Sequence, residues 1–153
     1  MSFFAYDNYL SGSLPSDLGH LTNMSILSLY DNIISGTIPT KVGYLAQQSA
    51  FVVNNNDMTG PIPSEIERLT SLTFLSVNEN NFSGTLPTEL GNLEECEQLE
   101  IVNNSLTELV LSELRELNYL REISWYNNCI VCFISTELEI LLNCNWFHLR
   151  IID

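Results

Sequence analysis

The chain has 153 residues, 45% apolar and 16% charged, a balance too hydrophobic for disorder and sufficient to fill a core. Its net charge of −14 comes from 19 acidic and 5 basic residues, and Lys41, Arg68, Arg115, Arg121 and Arg150 are too scattered to form a basic patch. Nucleic acid and anionic membrane surfaces are therefore poor candidate partners, while cationic or neutral ones are favoured.

The first element is a short strand with apolar residues at Phe3 and Ala5, followed by Asn8, Leu10, a turn through Gly12, and Pro15. A short helical or 3₁₀ turn then brings Leu18 and Leu21 inward. The same succession returns after 24 residues: the strand pairs Leu27/Leu29, Phe51/Val53, Leu75/Val77, Leu99/Ile101 and Ile123/Trp125 lead to Asn32, Asn56, Asn80, Asn104 and Asn128. In units two to four the turns run through Gly36, Gly60 and Gly84 to Pro39, Pro63 and Pro87, where the ladder must stop because proline has no N–H. After Asn104 the segments 107–111 and 131–135 replace the Ser-Gly-x-Ile-Pro stretch. The signal for a second strand is lost there, and Leu111, Leu114, Leu117 and Leu120 take up a helical spacing instead.

A 24-residue unit cannot cover its own apolar face, so successive units must stack with their strands parallel around one shared core. Asn8, Asn32, Asn56, Asn80, Asn104 and Asn128 then form a ladder whose amides donate to and accept from backbone groups of adjoining turns. The segments LSLYDNIISGTIPTKVGYL and LSVNENNFSGTLPTELGNL resemble plant-type leucine-rich repeats, LxxLxLxxNxLSGxIPxxLGxL. That resemblance implies an α/β right-handed solenoid, or horseshoe, with a concave parallel sheet and short helical or 3₁₀ turns on the convex side. It also implies protein, peptide or glycan binding on the concave face, as in receptor-like kinases and secreted recognition proteins. Residues 1–153 read as one such domain of about six units plus a degenerate seventh, and as a piece of a longer protein, because the amino end carries no polar cap and the tail NWFHLRIID reads as either a makeshift cap or a cut.

Residues between the inward positions should face a partner. Four before each Asn these are Phe4, Ser28, Val52, Ser76, Glu100 and Ser124; two before, Tyr6, Tyr30, Asn54, Asn78, Val102 and Tyr126; one before, Asp7, Asp31, Asn55, Glu79, Asn103 and Asn127. Tyr6, Tyr30, Asp31, Asn54, Asn78 and Glu79 are the expected contacts, since tyrosines, amides and acids suit recognition. These same six residues are equally compatible with the ordinary solvated surface of such a repeat.

No catalytic constellation is present: His20 and His148 are the only histidines, and no phosphate-binding glycine loop occurs. No enzyme activity, cofactor or metal is expected. Asp7 with Asp31 offers too few ligands for calcium, and Cys129, Cys132, Cys144 and His148 read as buried thiols or a terminal disulfide before a zinc site. Three glycosylation sequons, at Asn23, Asn81 and Asn103, match the number of about three that chance produces from 17 Asn and 26 Ser plus Thr. The longest apolar run, 129–134, is far short of the ~20 residues that span a bilayer, so no membrane insertion by this segment is expected. MSFFAYDNYL lacks the basic and apolar parts of a secretory signal. Location at the cell surface or outside the cell is implied by the resemblance alone, with the cytoplasm as the alternative. A matrix-type polysaccharide-binding protein or the regulatory part of a multidomain kinase are the alternatives to a protein-binding module.

Overall fold

The computed structural model describes residues 1–108 and 116–129, which build a two-sheet solenoid. The first sheet has six parallel strands in the order β1 (Ser2–Phe4), β3 (Ile26–Ser28), β5 (Ala50–Val52), β7 (Phe74–Ser76), β9 (Gln98–Glu100) and β11 (Glu122–Ser124). The second consists of β2 (Ser11–Ser13), β4 (Ile33–Gly36), β6 (Asp57–Gly60), β8 (Asn81–Thr85) and β10 (Ser105–Glu108), also parallel. Each strand of the first sheet pairs with its equivalent 24 residues on, as Leu27 does with Phe51 and Phe51 with Leu75. Equal unit lengths require this register.

Four five-residue 3₁₀ helices join the sheets: Ser16–His20, Thr40–Tyr44, Ser64–Arg68 and Thr88–Asn92. Each follows a proline, whose carbonyl accepts the first turn's hydrogen bond, as Val42 N–H donates to Pro39 O at 2.9 Å. Gly43 allows these turns to stack, since a Cβ there would lie 2.6 Å from the Glu65 carbonyl oxygen. Between the sheets and the 3₁₀ row runs one core, including Leu27, Phe51, Leu75 and Leu99 from the strands and Val42, Ile66 and Leu90 from the turns. At the first unit Phe3, Leu10 and Leu21 are exposed.

The fifth unit departs from expectation. β10 does form a second strand although its Gly-x-Ile-Pro segment is missing, because fully buried Leu106 holds it to the core and Asn128 Oδ1 accepts its N–H at 3.0 Å. The absent glycine leaves a different mark. Gly12, Gly36, Gly60 and Gly84 have φ between 76° and 83°, whereas the equivalent position here is Glu108, and the pairing with β8 slips between Leu106 and Glu108. Of the helical spacing expected over Leu111–Leu120, Leu111 and Leu114, like Cys132, Cys144 and His148, lie outside the described residues, while Leu117 and Leu120 are buried in a stretch of turns with no helix.

Candidate functional site

The face of the six-stranded sheet turned away from the core is the candidate site. It begins from the asparagine column. Asn80 Nδ2 donates to the carbonyls of Val53 (3.0 Å), Asn78 (3.0 Å) and Val77 (3.3 Å), while its Oδ1 accepts from Met58 N–H at 3.0 Å. Asn32, Asn56, Asn104 and Asn128 repeat this arrangement. Asn8, with no described turn beside it, is exposed, and among the described residues its side chain bonds only to Tyr6 O.

Immediately before each Asn the chain adopts the left-handed conformation: Asp7, Asp31, Asn55, Glu79, Asn103 and Asn127 all have φ of 52–54°. Asn and Asp tolerate this region, which accounts for five of the six residue choices. Asp31 and Glu79 therefore sit in turns flanking the strands. Their carboxylates accept from the amides one unit on, Asn55 and Asn103, and Asn127 Nδ2 continues to Asn103 Oδ1 at 2.7 Å.

The six expected contact residues separate into two groups. At one end Tyr6 and Tyr30 stack with centroids 4.6 Å apart and planes 4° from parallel, and Phe4 meets Tyr6 edge-on at 6.4 Å. Asp31 adjoins this group. Partial burial, and then the proximity of Tyr6, Asp7 and Asp31, raises the pKa of the Tyr30 hydroxyl above its ordinary value. At the other end Asn54, Asn78 and Glu79 line an open groove of about 660 Å³.

That groove also contains residues outside the expected set: Glu100, Arg121, Glu122, Trp125 and Tyr126. Glu100 and Tyr126 lay in the outward columns and could have been chosen. Trp125 occupies a column of inward residues, yet it is only half-buried, as is Ala5 of the same column, and the two directly follow the end strands of the sheet, whereas Leu29, Val53, Val77 and Ile101 between them are buried. Conversely, three residues expected to face outward are covered: Ser28 is 5% exposed, Ser76 1% and Val102 5%. A serine between larger neighbours on strands ~4.8 Å apart is overlain by them, and Ser76 Oγ is capped by Glu100 Oε2 at 2.9 Å.

The groove's geometry is fixed by polar contacts between units. Asn78 Nδ2 donates to Glu100 Oε2 at 2.9 Å, and Asn78 Oδ1 accepts from Val102 N–H at 2.6 Å. Arg121 pairs with Glu97 at 3.1 Å. Among the described residues no group of three or more His, Cys, Asp or Glu could hold a metal ion, and no helix is long and apolar enough to cross a membrane.

The family model for the Leucine Rich Repeat matches residues 71–93. Among solved structures, the ectodomain of the Arabidopsis thaliana membrane receptor kinase GASSHO1/SCHENGEN3, in complex with CASPARIAN STRIP INTEGRITY FACTOR 2, is 36% identical at a TM-score of 0.87, over 90% of this chain and 16% of that one. The ectodomain of the Arabidopsis receptor kinase HAESA, in complex with an extended IDA peptide hormone, is 33% identical at 0.85, over 90% of this chain and 23% of that one. A leucine-rich-repeat protein of Leptospira interrogans is 31% identical at 0.78, over 94% and 34%. No curated protein matches in sequence. The chain thus spans between about a sixth and a third of these relatives.

Proposed function

Because this chain is a leucine-rich-repeat protein whose repeats resemble those of plant receptor-kinase ectodomains, we propose that it is a non-enzymatic recognition module, lying outside the cell within a longer protein. It binds an extended peptide or protein segment along the concave face of its six-stranded sheet. The observation that carries this reading is the continuity of that face: the Tyr6–Tyr30 stack and the groove around Asn78 and Glu100 lie on the same row of parallel strands, uncovered by any other described element. Two of the similar ectodomains are complexes with a peptide hormone or a named factor, which supports a peptide ligand and an extracellular setting. Nothing among these relatives supports the cytoplasmic alternative.

A glycan is less well served by this surface. Sugars stack on free aromatic faces, and the Tyr6 and Tyr30 faces are turned toward each other, which leaves Trp125 and Tyr126 in the groove as the aromatic surface for such a ligand. A matrix role through regular spacing is disfavoured by the variety of the outward columns, where Tyr30, Asn54, Asn78 and Val102 succeed one another.

The test is to select peptides from a random display library on the chain and measure their affinity for Tyr30→Ala/Asn54→Ala. Loss of a large truncated contact such as tyrosine typically costs 1–2 kcal/mol or more, so weakening by about ten-fold is expected. Selected peptides that bind both forms equally would refute the concave-face reading.

A further inference from the structure

We propose that the groove spanning β7, β9 and β11 is a seat for the guanidinium of an arginine side chain carried by an extended peptide, an inference that rests on the concave-face reading above. Three carboxylates line it, Glu79, Glu100 and Glu122. Each is held by neutral donors from an adjoining unit: Asn103 Nδ2 donates to Glu79 Oε1, Ser76 Oγ and Asn78 Nδ2 both donate to Glu100 Oε2 at 2.9 Å, and Gln98 Nε2 donates to Glu122 Oε2 at 3.4 Å. Neutral donors orient a carboxylate without cancelling its charge. The second oxygen of each, Glu79 Oε2, Glu100 Oε1 and Glu122 Oε1, receives no hydrogen bond among the described residues. Arg121, the cation among the described lining residues, is paired with Glu97, which lies outside the groove lining.

The class of cation follows from the other residues. The acids are too dispersed to hold a metal ion together, so an ion of larger extent is required. Trp125 and Tyr126 provide aromatic surface, with Val102 and Ile123 beside them. A planar guanidinium can lie against an indole while its five N–H groups reach more than one carboxylate, whereas an ammonium is a compact, strongly hydrated point charge. The seat is also preorganised. Asn78 is bound at both ends of its amide, to Glu100 and to the Val102 backbone, so Glu100 needs no reorientation when the cation arrives.

The probe is the peptide Ac-Gly-Ser-Gly-Arg-Gly-Ser-Gly-NH2, with citrulline, the neutral isostere, or lysine in place of arginine. Binding is followed by the NMR shift of the Trp125 indole N–H. The arginine peptide should give a saturable shift, citrulline should weaken binding at least ten-fold, and lysine should fall between. Glu100→Gln should remove most of the difference between arginine and citrulline, whereas Asp57→Asn, the same charge change on the second sheet, should preserve it. Equal binding of the arginine and citrulline peptides to the unaltered chain would overturn the proposal without requiring any variant to fold. Library peptides that depend on Tyr30 and Asn54 but are indifferent to this exchange would overturn the arginine seat and leave the concave-face reading standing. If no library peptide depends on Tyr30 and Asn54, the concave-face reading of an extended peptide falls, and the arginine–citrulline comparison alone decides the seat.

Discussion

Replacing Asn80 by alanine tests what holds the repeats together, because the same substitution at Asn8 provides an internal control. Asn80 Oδ1 is the acceptor for the N–H of Met58, a residue with no exposed surface. Alanine leaves that donor buried without a partner, at a cost of about 1–3 kcal/mol. The carbonyls of Val53 and Val77 suffer less, since Asn56 and Asn104 also donate to them, at 3.1 and 3.0 Å. Losing Asn80's share of three further bonds brings the expected total to about 2–4 kcal/mol. The exposed Asn8 side chain bonds, among the described residues, only to Tyr6 O, so its removal should change stability by no more than about 0.5 kcal/mol. Urea denaturation of both variants, followed by far-UV circular dichroism, measures the difference. Equal losses, or a loss below about 1 kcal/mol at Asn80, would refute the ladder as a source of stability.

Gln48 occupies a column otherwise filled by Met24, Leu72, Cys96 and Leu120; its Nε2 donates to Ala50 O at 2.5 Å, but its buried Oε1 has no hydrogen-bond partner among the described residues. Gln48→Leu should raise the denaturation midpoint and stabilise by about 1–2 kcal/mol, because an unpartnered amide oxygen is removed and the Met24, Leu72 and Leu120 units already do without such an amide. A fall in the midpoint would contradict this. Burial pushes the Cys96 thiol up to about 12 from an ordinary 9.0. The unfolded chain therefore loses its proton before the folded one, and this contribution to stability is present below pH 9 and declines as pH rises from about 9 toward 12. Stability measured at pH 8 and 10 should fall less for Cys96→Val than for the unaltered chain, and an identical fall in both would contradict the burial argument.

Periodicity carried the repeat architecture because stacking equal units turns each sequence position into a column in space. The inward pairs Leu27/Leu29 and Leu75/Val77 and the recurring Asn were therefore readable without coordinates. The turns after Gly36 and Gly60 were legible for a similar local reason, a backbone conformation that few residues accept. Absence of that motif was a poorer guide, since Leu106 and its neighbour β8 formed a strand without it.

Accessibility belonged to the tertiary structure. A column states which way a residue points, but the neighbours one unit away decide whether solvent reaches it, and so Ser76 is covered by Glu100 while Trp125, at the last strand of the sheet, remains half-exposed. The groove depended on the same kind of information. Contacts between side chains 22 to 24 residues apart, Ser76 and Asn78 to Glu100 and Asn103 to Glu79, orient its carboxylates, and those contacts exist only once the units are stacked.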